Sequence, residues 1–116
     1  FLACHMLKDV SLHEGITSIG EGAFADCTAL TSFLVPAGVT EIKKHAFLNC
    51  VELMEVSLPG GLLHVGGEIL KGCDKLAKIR FDNTYEKWKT LSIGDISGVP
   101  VSCSDGTWKD GKRIKR

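Results

Sequence analysis

The sequence predicts an α/β solenoid: coils of chain, each with two short strands and one turn of helix, stacked along a single axis. Three observations predict it. The run Leu30-Thr-Ser-Phe-Leu-Val-Pro36 returns 23 residues later as Leu53-Met-Glu-Val-Ser-Leu-Pro59, again as Leu76-Ala-Lys-Ile-Arg-Phe81, and once earlier as Leu7-Lys-Asp-Val-Ser-Leu12. Each copy reads Leu-x-x-φ-x-φ, with φ a large apolar residue at every second position, the mark of a strand with one buried face. Seven apolar columns keep the same period, and no coil can bury seven apolar positions alone, so the coils must stack.

The columns define the interior. One holds Leu7, Leu30, Leu53 and Leu76; the next Val10, Phe33, Val56 and Ile79; a third Leu12, Val35, Leu58 and Phe81. Ile16/Val39/Leu62 and Ile19/Ile42/Val65 mark a second extended piece in each coil. Phe1/Phe24/Phe47/Leu70 and Cys4/Cys27/Cys50/Cys73 complete the set. Between the strands, Pro36 and Pro59 stop the first ladder, since proline offers no N–H and fixes φ. Gly15, Gly38 and Gly61 supply the turn that follows. The third piece of each coil, Glu21–Cys27, Lys44–Cys50 and Gly67–Cys73, is expected to be a short helical turn, because Phe-x-x-Cys puts both apolar side chains on one face. In the third coil Ile69-Leu70 replaces Ala-Phe, and Gly66-Gly67 is expected to loosen that turn without disturbing the stack.

Phrases such as Val39-Thr-Glu-Ile42, Ala46-Phe-Leu-Asn-Cys50 and Leu53-Met-Glu-Val-Ser-Leu-Pro59 resemble the leucine-rich repeats of the BspA-like type, found in bacterial surface proteins and some protists. The resemblance covers residues 1–81 as repeats (a partial coil 1–12, then coils 13–35, 36–58 and 59–81). Residues 82–116 are similar to the family's closing segment through Asn83-Thr-Tyr-Glu-Lys-Trp88 and Cys103-Ser-Asp-Gly106. It implies a non-enzymatic module displayed on a cell surface, meeting host, matrix or microbial protein through its strand face. The alternative is a rigid spacer with no specific ligand.

After Phe81 the period is expected to stop. Asn83 as N-cap with Glu86 three residues on predicts a helix carrying Tyr85, Trp88 and Leu91 on one face, a suitable lid for an open solenoid end. Residues 92–100 read as loop. Asp105-Gly106 and Asp110-Gly111 are hairpin signals that predict a small antiparallel meander over Val101–Ile114. At the other end, Phe1–Leu12 begin half a coil with no lid. That predicts an excised piece of a longer array, prone to fraying or end-to-end self-association there.

Composition narrows the partners. Net charge is zero, but Trp108–Arg116 holds five bases and one acid, so the tail carries +4 and the body −4. Five bases beside an acidic body are read as a solvated end rather than a nucleic-acid site. No apolar run reaches membrane-spanning length, and no membrane insertion is expected.

Candidate chemistry is sparse. Cys4, Cys27, Cys50 and Cys73 fall on the interior of adjacent coils, where cysteine acts as a modest hydrophobe; free buried thiols are the preferred reading and one cross-coil disulfide the alternative. Ligands 23 residues apart lie in a line, not at the corners of a tetrahedron, so no metal is expected. Cys103 stands off the period, buried beneath the closing segment or reactive. His5, His13, His45 and His64 occupy four different columns and read as surface histidines. No nucleophile–base pair, carboxylate pair or phosphate loop is present, and neither catalysis nor a cofactor is expected.

The strand face remains. Side chains between the buried positions point outward and stack into two columns, Asp9, Ser32, Glu55, Lys78 and Ser11, Leu34, Ser57, Arg80. Their charge runs from acidic to basic along the stack, an orienting gradient for a protein partner. The plainer reading takes Glu55 and Lys78 as a favourable cross-strand pair.

Overall fold

The computed structural model describes residues 12, 15–91, 93, 96 and 98–114. The N-terminal half-coil apart from Leu12, with Cys4, His5, Asp9 and Ser11, lies outside the described residues, as does His13.

Each coil contributes to parallel ladders, and the 23-residue period sets their register. The short strands β1 (Ser18–Ile19), β3 (Glu41–Ile42) and β5 (His64–Val65) form one parallel sheet, Ile19 pairing with Ile42 and Ile42 with Val65. The longer strands β2 (Ser32–Leu34), β4 (Glu55–Leu58) and β6 (Lys78–Phe81) form the second, Phe33 pairing with Val56 and Val56 with Ile79. A slip of one residue would turn every buried side chain outward, so the apolar columns hold this register. Pro36 and Pro59 sit just past the strands, and their carbonyls accept from Val39 and Leu62 to close the turn.

The third side of each coil is not helical. His45 is left-handed (φ 62°) where Gly22 (63°) and Glu68 (56°) stand in the neighbouring coils. Four residues on, Asp26 (59°), Asn49 (59°) and Gly72 (81°) are left-handed too. Two such residues per coil break any α-helix, and they turn alternate N–H groups toward the next coil instead. Gly22, Phe24 and Asp26 donate to Lys44, Ala46 and Leu48; His45, Phe47 and Asn49 donate to Gly67, Ile69 and Lys71 (2.7–3.2 Å). The Phe-x-x-Cys spacing therefore serves a third hydrogen-bonded ladder. Gly66 does not loosen it: a β-carbon there would strike the backbone of Lys44.

Packing follows the columns. Phe24 and Phe47 stack at 5.8 Å, and Phe33 meets both edge-on at 4.8 Å. In the third coil Ile69 and Leu70, 2% exposed, fill the volume that Ala46 and Phe47 fill in the second. No buried polar side chain among the described residues lacks a partner.

The interior columns outlast Phe81. Val99 N–H donates to Ile96 C=O at 3.0 Å, the turn that Leu30 makes with Cys27, Leu53 with Cys50 and Leu76 with Cys73. Ile96 and Val99 thus stand at the next step of the Cys and Leu columns. The spacing then shortens by one, so that β7 (Val101–Cys103) adds in parallel to β6 with Val101 opposite Ile79. In this coil α1 (Tyr85–Lys89) replaces the proline turn and buries Trp88 against Phe81, with ring centroids 5.6 Å apart. Its N-cap is Thr84, not Asn83: Thr84 Oγ1 accepts from Lys87 N–H, while Asn83 Nδ2 donates back to Gly60 C=O at 2.9 Å. Asn83 is drawn away because Gly60, lacking a β-carbon, lets the Asp82 carbonyl press against the coil before.

The meander forms from β7, β8 (Gly106–Lys109) and β9 (Lys112–Arg113), both hairpins antiparallel. Asp110 and Gly111, φ 50° and 82°, make the second turn, the left-handed pair that such a hairpin requires. The first turn falls one residue earlier than expected, at Ser104-Asp105, leaving Gly106 in the strand opposite Cys103. Tyr85 stacks on Trp108 at 4.2 Å and 5°, with Lys89 over the tyrosine and Arg113 over the tryptophan.

Candidate functional site: the strand face

Alternation along β2, β4 and β6 delivers the expected outward columns. Register places Ser32, Glu55 and Lys78 side by side, and Leu34, Ser57 and Arg80 likewise. β7 adds Ser102 beside Arg80, a member that sequence reasoning missed because the spacing shortens there. Leu34, the last residue of β2 and so on the outer strand of the described sheet, is 68% exposed. Asp9 and Ser11 fall outside the described residues.

The charges do not pair as expected. Lys78 is the register neighbour of Glu55, yet the Glu55 carboxylate takes Arg80 Nε–H at 2.6 Å, along the diagonal. The planar guanidinium donors suit a carboxylate. The pair is half exposed on both sides and contributes about 0.2–1 kcal/mol. Lys78 makes no ion pair among the described residues. On the described face the acid, Glu55, lies on β4 and both bases on β6, with Arg80 paired to the acid.

Beside this face runs an open groove of about 510 Å³ across the C-terminal ends of β2, β4, β6 and β7. Leu34, Ser57, Arg80 and Ser102 border it, Pro36 and Pro59 lie in it, and Asp82 and Ser104 close its far part. Proline at the strand ends makes the groove: with no N–H to donate, the chain turns away from the ladder there.

Away from the face, cross-coil pairs follow the 23-residue step. Lys75 meets Glu52 at 2.7 Å, and His45 Nε2 lies 2.9 Å from Glu68 Oε1, which Lys71 also approaches at 3.1 Å. Hydrogen bonds from His45 and then Lys71 hold the Glu68 carboxyl below its ordinary range. The described cysteines stand as free thiols. Cys50 Sγ–H donates to Phe24 C=O at 3.1 Å and Cys73 Sγ–H to Phe47 C=O at 3.2 Å. The neighbouring Cys73 thiol, and burial after it, push the Cys50 thiol up. Burial and Asp105 push half-buried Cys103 up to about 11. Among the described residues no three His, Cys, Asp or Glu side chains converge as a metal site would require, and no helix is long and apolar enough to cross a membrane.

Parallel ladders of a 23-residue coil, a leucine column behind them and one exposed strand face define a leucine-rich repeat solenoid. The model of the BspA type leucine rich repeat region, in six copies, matches residues 1–95, and the chain belongs to that family. A leucine rich cell surface protein from Faecalibacterium prausnitzii, solved by crystallography, is 27% identical to it with a TM-score of 0.77. The match covers 82% of this chain and 25% of that one, so this chain spans about a quarter of the length of that structure. No match is found among curated proteins.

Proposed function

We propose that the chain is a non-enzymatic binding module of a cell-surface protein, meeting a host, matrix or microbial protein through Ser32, Leu34, Glu55, Ser57, Lys78 and Arg80, with Asp9 and Ser11 extending the same columns. The observation that carries this reading is Leu34, a large apolar side chain left exposed on the strand face, in the outward column that also holds Ser57 and Arg80. Such a column supplies both apolar contact and a polar anchor, the two parts a small interface needs. The surface location rests on the family and on the F. prausnitzii relative. Residues 82–116 serve as the closing segment of the array.

A spacer role is the second reading. It is favoured by the Glu55–Arg80 pair, which satisfies most of the face's charge internally. Replacing Glu55, Lys78 and Arg80 together by alanine separates the two. A binding module loses capture of its matrix or microbial protein on a panel of immobilised surface components while its melting curve stays two-state. A spacer captures the same weak background before and after.

A further inference from the structure

We infer that the C-terminal hairpin is a second binding surface, which takes a flexible phosphodiester polymer without bases through the opposed lysines Lys109 and Lys112. The inference goes beyond the strand-face reading and stands apart from it.

Register sets two ammonium groups against each other. Lys109 of β8 is the direct partner of Lys112 of β9, across the Asp110-Gly111 turn. β-Carbons at such positions lie roughly 4.5–5.5 Å apart on one face of the hairpin, where like charges destabilise. Both side chains are exposed, and among the described residues neither makes an ion pair. The acids of the meander do not answer them. Asp105 Oδ1 accepts from Tyr85 N–H at 3.1 Å and Asp110 Oδ1 from Gly98 N–H at 2.8 Å, both contacts to chain outside the hairpin.

Protection of a sheet edge accounts for half of this arrangement. A lysine on an edge strand deters pairing with another chain. β9 ends the six-stranded sheet, and Lys112 serves there. β8 lies one strand in, so Lys109 adds repulsion without guarding an edge. An anion resting between the two ammonium groups turns that repulsion into attraction.

The surroundings select the kind of anion. Trp108 and Arg113 occupy the other face of the hairpin, where the indole lies between Tyr85 on one side and the guanidinium on the other. Trp108 is therefore not free to stack on a nucleic-acid base, and recognition rests on charge. The basic stretch is also short. Outside Trp108–Arg116 the sequence carries −4. A wide, rigid duplex would set its phosphates against that acidic body, whereas a thin, flexible chain touches the hairpin alone. Lysine, a compact cation on a flexible stem, meets a phosphate as a point charge and needs no planar paired geometry.

The test uses the 116-residue chain and a short polyglycerol phosphate labelled at one end with fluorescein, read by anisotropy at low ionic strength. Saturable binding is expected, with an affinity that falls as salt rises. Lys109→Gln and Lys112→Gln are each expected to weaken it about fivefold, at a melting temperature no lower than the parent's. Lys43→Gln combined with Lys44→Gln removes the same charge as the double hairpin variant from exposed positions elsewhere, and is expected to change binding by less than about twofold. No saturable binding, an equal loss in the Lys43/Lys44 variant, or tighter binding of heparin or duplex DNA at matched charge overturns the inference. So does a double hairpin variant that binds as the parent does but self-associates in sedimentation, since the lysines would then only guard the edge. The strand-face triple alanine variant keeps both hairpin lysines and is expected to retain the polymer, so the two readings fail separately.

Discussion

Asn49 lies against Gly72 across the coil boundary so closely that a β-carbon on the glycine would collide with the asparagine carboxamide. The two residues hold the same left-handed position in successive coils, at φ 59° and 81°. One coil uses a small polar residue that tolerates the conformation, and the next uses glycine because its predecessor's side chain has taken the space.

This contact makes Gly72→Ala more costly than the same change at a left-handed glycine with room around it. Gly22 (φ 63°) has only the Ala25 methyl, at 4.0 Å, near its missing β-carbon. Gly22→Ala is expected to cost about 1 kcal/mol from backbone strain alone, and Gly72→Ala roughly 2–3 kcal/mol. Urea unfolding midpoints with unchanged slopes check the order; equal losses would show that the carboxamide simply rotates away.

Glu68 stands left-handed between His45 and Lys71 with a lowered carboxyl. A carboxyl whose folded value lies below its unfolded one contributes stability that is full above the unfolded value, about 4.3, and lost as pH falls through the folded value. The stability difference between the parent and Glu68→Gln is therefore expected to shrink as pH falls below about 4.3. Thermal melts from pH 3 to 7 measure it. A difference that grows in acid would contradict the assignment.

The Tyr85–Trp108 stack joins α1 to the meander, with each ring's outer side left to a cation. A double-mutant cycle with Tyr85→Leu and Trp108→Leu is expected to give a coupling of roughly 0.5–1.5 kcal/mol. Arg113→Ala is expected to cost about 0.5–1 kcal/mol, since the guanidinium also donates to Asp105 C=O. Coupling near zero in chemical denaturation would mean that the meander frays independently of the helix.

Thiol chemistry separates the cysteines. With Cys103 pushed up to about 11, roughly a thousandth of it is thiolate at pH 8, so an aromatic disulfide reagent should modify it slowly. Cys27 and Cys50, fully buried, should react only as fast as the coils open. In denaturant all five cysteines of the sequence are expected to react; a deficit of two would reveal a disulfide.

The register of the ladders was legible before any coordinates. Leu30, Leu53 and Leu76 are buried in successive coils, as their spacing requires. Alternation also placed Leu34, Ser57 and Arg80 on one outward column. The helical reading of Phe-x-x-Cys failed because that spacing suits a left-handed turn as well as a helix. Asp26, Asn49 and Gly72 were the available signal, three residues that tolerate positive φ at one repeating position. Likewise the spacing of Ile96 and Val99 from Cys73 and Leu76 was in the sequence, hidden by the change of residue type and the one-residue slip at Val101.

The sequence alone determined which residues face inward and which coil neighbours which, because burial depends on a period and a period can be read from one dimension. Only the tertiary structure decided which carboxylate Arg80 takes, where the prolines open a groove, and how α1 and β7 complete the last coil. Those outcomes depend on reach and direction between side chains of different coils, and a pattern along the chain records neither.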